Sequence, residues 1–122
     1  MKISEAIEEF DALVANTLDA AVKVRWLSDL DLQVNREILI PHGIGRRHFE
    51  GYGQEPDMEQ ELLIPAGFTE IYRHYMEAQL CGILHEDGGY NRAANQFNTK
   101  YVAFGDYINR KHMPRRTFLR MI

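Results

Sequence analysis

His74, Cys81 and His85 are the side chains of this 122-residue sequence best suited to hold a metal. On a helix, His85 lies one turn after Cys81 and His74 two turns before it, so the three share a face. Such a set could ligate zinc or serve an enzyme. A structural zinc site takes four ligands, usually including closely spaced Cys or His pairs, which this set lacks. The expected reading is a polar face, exposed or turned to an interface, opposite the apolar stripe of the same helix. Asp29-Leu30-Asp31 forms a DxD pattern, but on a helix the two carboxylates point about 200° apart and do not converge on one ion. They are expected to form a solvated surface around Leu30. GIGRRHFEGYG, Gly43 to Gly53, resembles a glycine-rich phosphate loop with its glycines in the wrong order and no helix start after the last; mobility is the expected reason for them. The sequence holds no Gly-x-Ser-x-Gly elbow, Walker loop or HExxH. The protein is therefore expected not to be an enzyme and to need no metal or cofactor.

Charge gives a stronger signal. All 18 acids and nine of the 14 Lys and Arg residues precede residue 110, so residues 1–109 carry −9 and residues 110–122 carry +5. An acidic body with a basic tail is complementary to copies of itself, since the tail of one is attracted to the body of another. The tail also alternates charge with apolar anchors: Arg115, Arg116 and Arg120 sit among Met113, Phe118, Leu119, Met121 and Ile122. Solvated disordered tails are poor in such residues, so this segment is expected to have a partner. Arg110, Lys111, Arg115, Arg116, Phe118, Leu119 and Arg120 are the candidate assembly interface.

The elements that would position these groups follow from periodicity. Ile3, Ile7, Phe10 and Val14 mark a first helix capped by Ser4, with Glu5, Glu8 and Glu9 near its start. Asp19 caps a second, with Val22 or Val24, Leu27, Leu30, Val34 and Ile38 inward, Trp26 on the shoulder, and Pro41 and Gly43 ending it after about Leu39. Residues 42–61 form a long loop with room for a short β-hairpin around Arg47–Tyr52. Leu62–Ile64 is a brief extended segment before Pro65. A third helix runs from Gly67 or Phe68 to His85, EDGG turns the chain, and a fourth follows from Tyr90. Tyr90, Ala94, Phe97, Tyr101, Phe104 and Ile108 give that last helix one apolar stripe. Gly105 interrupts it, at a cost of about 1 kcal/mol relative to alanine that a close helix crossing would offset. The fold class is all-α: a small three- to four-helix bundle (1–109) with a long loop and an extended C-terminal arm (110–122).

At 14.2 kDa, 45% hydrophobic and 26% charged, the chain has an ordinary globular composition. No apolar run approaches the roughly 20 residues of a bilayer span, and MKISEAIEEF lacks the features of a secretory signal. A cytosolic product without membrane contact is expected, and the single cysteine fits a reducing compartment.

RWLSDLD at 25–31, REI at 36–38, FEGYG at 49–53, ELLIPAGFTEIYRHYMEAQL at 61–80 and YNRAANQFNTKYVAFGDYINRKHMP at 90–114, in this order, resemble a group of small head-tail connector (adaptor, head-completion) proteins. These belong to tailed phages and prophages of Gram-positive bacteria. The resemblance covers nearly the whole chain and rests on order and spacing, because none of the pieces is a catalytic or ligand motif. It implies a helical protomer that forms a homo-oligomeric ring beneath the portal protein, twelve-fold to match it. That ring would extend the channel for non-specific passage of phage DNA and dock tail-side neck or tail proteins. The location implied is the virion neck, with assembly in the host cytoplasm. The competing expectation is a small helical nucleic-acid-binding regulator using the basic C-terminal arm.

Overall fold

Ile3, Ala6, Ile7 and Phe10 recur at helical spacing, and all four are buried along one side of α1 (Ile3–Leu13). The computed structural model describes residues 1–112, and this first helix starts differently from the expected Ser4 cap. Lys2, in extended conformation, is the cap residue, and its N–H donates to the Glu5 carboxylate at 2.8 Å. Ser4 lies inside the first turn. Its N–H donates to the Met58 carbonyl at 2.9 Å, and that of Ile3 to the Gln60 carbonyl at 3.0 Å. The distant loop thus supplies acceptors that a local hydroxyl would otherwise provide.

Asp19 stands at the cap position of α2 (Ala20–Val34), as expected. Val24, Leu27, Leu30, Val34 and Ile38 are buried with Trp26 beside them. The chain does not stop at Leu39. It continues as a π-helical turn, Asn35–Leu39, then a 3-10 turn, Ile40–His42. Pro41 fits within that last turn because its missing N–H is needed by no partner there. Gly43, at φ 78°, makes the stop.

The third helix, α3 (Glu70–Ile83), and the fourth, α4 (Asp87–Lys111), form an antiparallel pair with the most extensive contact in the fold. Both boundaries differ from expectation. Residues 84–86 turn the chain, with His85 left-handed at φ 57°, and Asp87, Gly88 and Gly89 belong to α4. Ring pairs record the register: Tyr75 meets Phe97 at 5.5 Å between centroids, and Phe68 meets Phe104 at 5.4 Å and Tyr107 at 5.0 Å. Phe104 and Ile108 are fully buried, yet Tyr90 is exposed and Ala93, not Ala94, is the buried alanine. The close helix approach is also elsewhere than expected. A Cβ on Gly105 would meet only Ile38 Cδ1 at an ordinary 3.9 Å, whereas one on Gly89 would come within 3.0 Å of Cys81 Sγ.

The core is one cluster to which all four helices and Leu62 and Ile64 contribute. α3 occupies its middle, in contact with α1, α2 and α4. The fold is all-α, and among the described residues the only β pairing is an isolated bridge between Lys2 and Glu61. The hairpin around Arg47–Tyr52 does not form, because that segment pairs with α2 side chains instead of with itself.

Candidate functional site

The long loop is pinned along one stripe of α2 and its π turn, where Ser28, Asp31 and Asn35 recur at steps of three and four. Asn35 acts as a backbone surrogate. Its Nδ2 donates to the Arg46 carbonyl at 2.7 Å, and its Oδ1 accepts from the Arg46 N–H at 2.8 Å. Ser28 Oγ accepts from the Tyr52 N–H at 3.1 Å. Gly51 makes that approach feasible: its φ is 90°, and a Cβ there would collide with the serine oxygen.

Asp31 is the centre of this arrangement and is 0% exposed. Its Oδ1 accepts from the Tyr72 hydroxyl at 2.7 Å; its Oδ2 accepts from the Leu63 N–H at 2.9 Å and from the Tyr52 hydroxyl. The Tyr72 oxygen in turn accepts from the Ile64 N–H at 2.8 Å. One carboxylate therefore ties α2 to the loop, to the extended segment and to α3. Burial pushes the Asp31 carboxyl above its usual range, opposed by the two phenols, the Leu63 N–H and the Arg46 charge. The Tyr52 and Tyr72 phenols are pushed up by burial and by the carboxylate beside them. A carboxylate with three donors and no exposed surface has no route to a substrate. It is a strut, and the expected solvated surface holds only for Asp29.

The glycine loop, for which mobility was the expected reason, lies against α2 through Ser28, Asp31 and Asn35. A second buried ion joins α1 to α2: Lys23 is buried and its Nζ lies 2.6 Å from Asp11 Oδ1, which holds the Asp11 carboxyl below its usual range. Sequence reading missed Asp31, Asn35 and Lys23 as core residues. Position offered a signal, since each falls within or beside the apolar stripe of α2 that was already assigned.

His74, Cys81 and His85 do not form the expected polar face. His74 and Cys81 are buried, 5% and 7% exposed, on the side of α3 that meets α4. His85 has left the helix and is exposed. Among the described residues, no group of three His, Cys, Asp or Glu side chains is placed to hold a metal. Burial and the nearby Glu86 push the Cys81 thiol up. Burial, with Arg73 close by, lowers the pKa of His74, whose Nδ1 has no partner among the described residues.

Of the candidate assembly residues, Arg110 and Lys111 end α4, exposed, where cations suit the negative end of a helix dipole. Lys111 Nζ lies 5.5 Å above the Tyr107 ring centroid. Arg115, Arg116, Phe118, Leu119 and Arg120 lie outside the described residues. Beside the end of α4 is a cleft of about 320 Å³ bordered by Ile44, Arg46, Leu63, Tyr107 and Lys111. At the opposite end of the α3–α4 pair the surface is apolar. Leu13, Ile83 and Leu84 are 59%, 54% and 53% exposed, and Leu18, Leu80, Ile83 and Leu84 line a groove of about 390 Å³.

Comparison with protein-family models, curated proteins and solved structures gives no match. No helix among the described residues is long and apolar enough to cross a membrane.

Proposed function

We propose that the protein is a structural subunit of a phage neck, part of a homo-oligomeric ring that joins the portal protein to the tail and extends the DNA channel. The observation that carries this reading is the polarity of the protomer. It presents an apolar end at the α3–α4 turn and a basic end at Arg110 and Lys111, separated by the length of α4. Unlike surfaces at opposite ends favour head-to-tail association, and head-to-tail association closes into rings when the rotation per subunit allows. The ordered segments that resemble head-tail connectors add to it. RWLSDLD, FEGYG and ELLIPAGFTEIY supply the Asp31 strut and its partners, so the resemblance falls on residues that build this protomer. The acidic body supports a further role, since a negative channel wall lets DNA slide without being held. A twelve-fold ring on the portal is the assembly proposed.

Native mass spectrometry and electron microscopy of the protein mixed with its portal test this directly. Rings of the portal's own symmetry are the expected outcome. A protein that stays monomeric and never binds portal would overturn the reading, and sequence-selective retention of DNA in filter binding would favour the regulator instead.

A further inference from the structure

The groove at the α3–α4 turn has no occupant among the described residues, although Ile83 and Leu84 are half exposed there, over partly buried Leu18 and buried Leu80, with Asn16 and Thr17 at its edge. Exposed Leu and Ile side chains concentrated at one site mark a contact surface. None of the lining side chains is charged, and the segments that bear them carry three exposed acids, Asp19, Glu86 and Asp87, with Arg92 one turn further along α4. The matching chemistry is an apolar segment with positive charge. The chain carries one such segment: residues 113–122, with Phe118 and Leu119 between Arg116 and Arg120.

Geometry decides which copy can deliver it. The 25 residues of α4 span about 37 Å at 1.5 Å per residue. Phe118 and Leu119 follow His112 by six and seven positions, a reach of at most about 25 Å when fully extended. The two anchors therefore fall short of their own groove. We infer that the apolar groove lined by Leu18, Leu80, Ile83 and Leu84 receives residues 113–122 of a second copy of this chain, which makes the association directional. This rests on the reading of the protein as a ring subunit, and it names the contact that would build the ring.

Of three other clefts, the one between α3 and α4 is lined by polar side chains such as Glu70, Arg73 and Lys100 and offers nothing to Phe118 or Leu119, which leaves two competing receptors. That beside the end of α4 is bordered by Arg46 and Lys111, which repel a basic arm. The cleft between α2 and the loop carries Asp29, Glu50 and Glu55 with Arg25, and suits charge better than it suits Phe118 and Leu119.

The test uses a fluorescein-labelled peptide of residues 110–122 and, as receptor, the full-length protein with Phe118→Asp and Leu119→Asp. Fluorescence anisotropy is expected to show binding that Leu84→Asp weakens by about tenfold or more, the loss of one buried Leu. Ile44→Asp in the first competing cleft and Glu55→Lys in the second are expected to change affinity by less than about twofold. No binding, unchanged affinity in Leu84→Asp, or a loss confined to either competing variant would overturn the inference. Leu84 is half exposed, so circular dichroism should be unchanged, and Ile83→Asp provides a second groove variant. A mixture of full-length Leu84→Asp with the Phe118→Asp, Leu119→Asp protein retains one intact groove and one intact arm. It should give a 1:1 dimer by native mass spectrometry where neither variant associates alone; absence of that dimer counts against the groove. Portal rings that form undiminished with Leu84→Asp would sink the groove and leave the neck reading standing. Peptide binding at the groove without portal recruitment would do the reverse.

Discussion

The loop docked on α2 and the turn between α3 and α4 are both connections, and they are held by opposite means. The loop at residues 43–64 is rich in glycine and charge, yet Ser28, Asp31 and Asn35 give it hydrogen-bond partners along α2. The α3–α4 turn carries Ile83, Leu84 and Tyr90, side chains that normally mark an interior, and leaves them exposed. Polarity of sequence thus failed to sort buried from exposed in either place. What sorted them was whether another element could reach them: an α2 stripe lies under the loop, and among the described residues nothing lies over the turn.

The largest effect that would break this contrast is loss of the Asp31 strut. Asp31→Asn replaces an acceptor with an amide facing phenol or N–H donors, and should cost about 2–3 kcal/mol in urea unfolding. The pH dependence sharpens it. Burial raises the folded pKa of Asp31 above its usual value, so its contribution is complete below that value and declines as pH rises through the folded pKa. The stability gap between native protein and Asp31→Asn should therefore be wider at about pH 4 than at about pH 7. A gap that widens toward neutral pH would show that the hydrogen bonds outweigh burial.

Gly51→Ala comes next, with an expected loss of about 2 kcal/mol, since it combines a left-handed backbone with a collision at Ser28 Oγ. A thermal midpoint within error of the native protein would mean that the loop is not held where Ser28 places it. Gly105→Ala should act in the other direction, raising stability by about 0.5–1 kcal/mol, because its Cβ meets only ordinary contact and the helix gains propensity. A loss on calorimetry would restore the close crossing that periodicity suggested there. The smallest effect belongs to the turn: Leu84→Asp should change unfolding free energy by less than about 0.5 kcal/mol, as an exposed position does. A loss comparable to that of Gly51→Ala would place Leu84 in the core.

Much of the fold was legible in the sequence because apolar spacing is a local property. The stripes of α1, α2 and the second half of α4 were readable from Ile3, Ile7 and Phe10, from Leu27, Leu30 and Val34, and from Phe104 and Ile108. Arg110 and Lys111 were readable as basic and outward-reaching, but they close α4 instead of beginning the extended arm expected from residue 110. The helix boundaries were less so: the distant carbonyls of Met58 and Gln60 accept from the first N–H groups of α1, and His85 rather than the EDGG glycines makes the turn. His74 and Cys81 were misplaced because α4 packs on the side of α3 that carries them, which the pattern of α3 alone does not show.

The sequence by itself determined that this chain is helical, acidic in its body and basic in its last 13 residues, since periodicity and charge are sums over neighbouring positions. Only the tertiary structure decided that Asp31 is a strut while Asp29 faces water, and that Ile83 and Leu84 are uncovered while Lys23 is buried. Burial of one residue depends on elements dozens of positions away. No count along the chain carries that information.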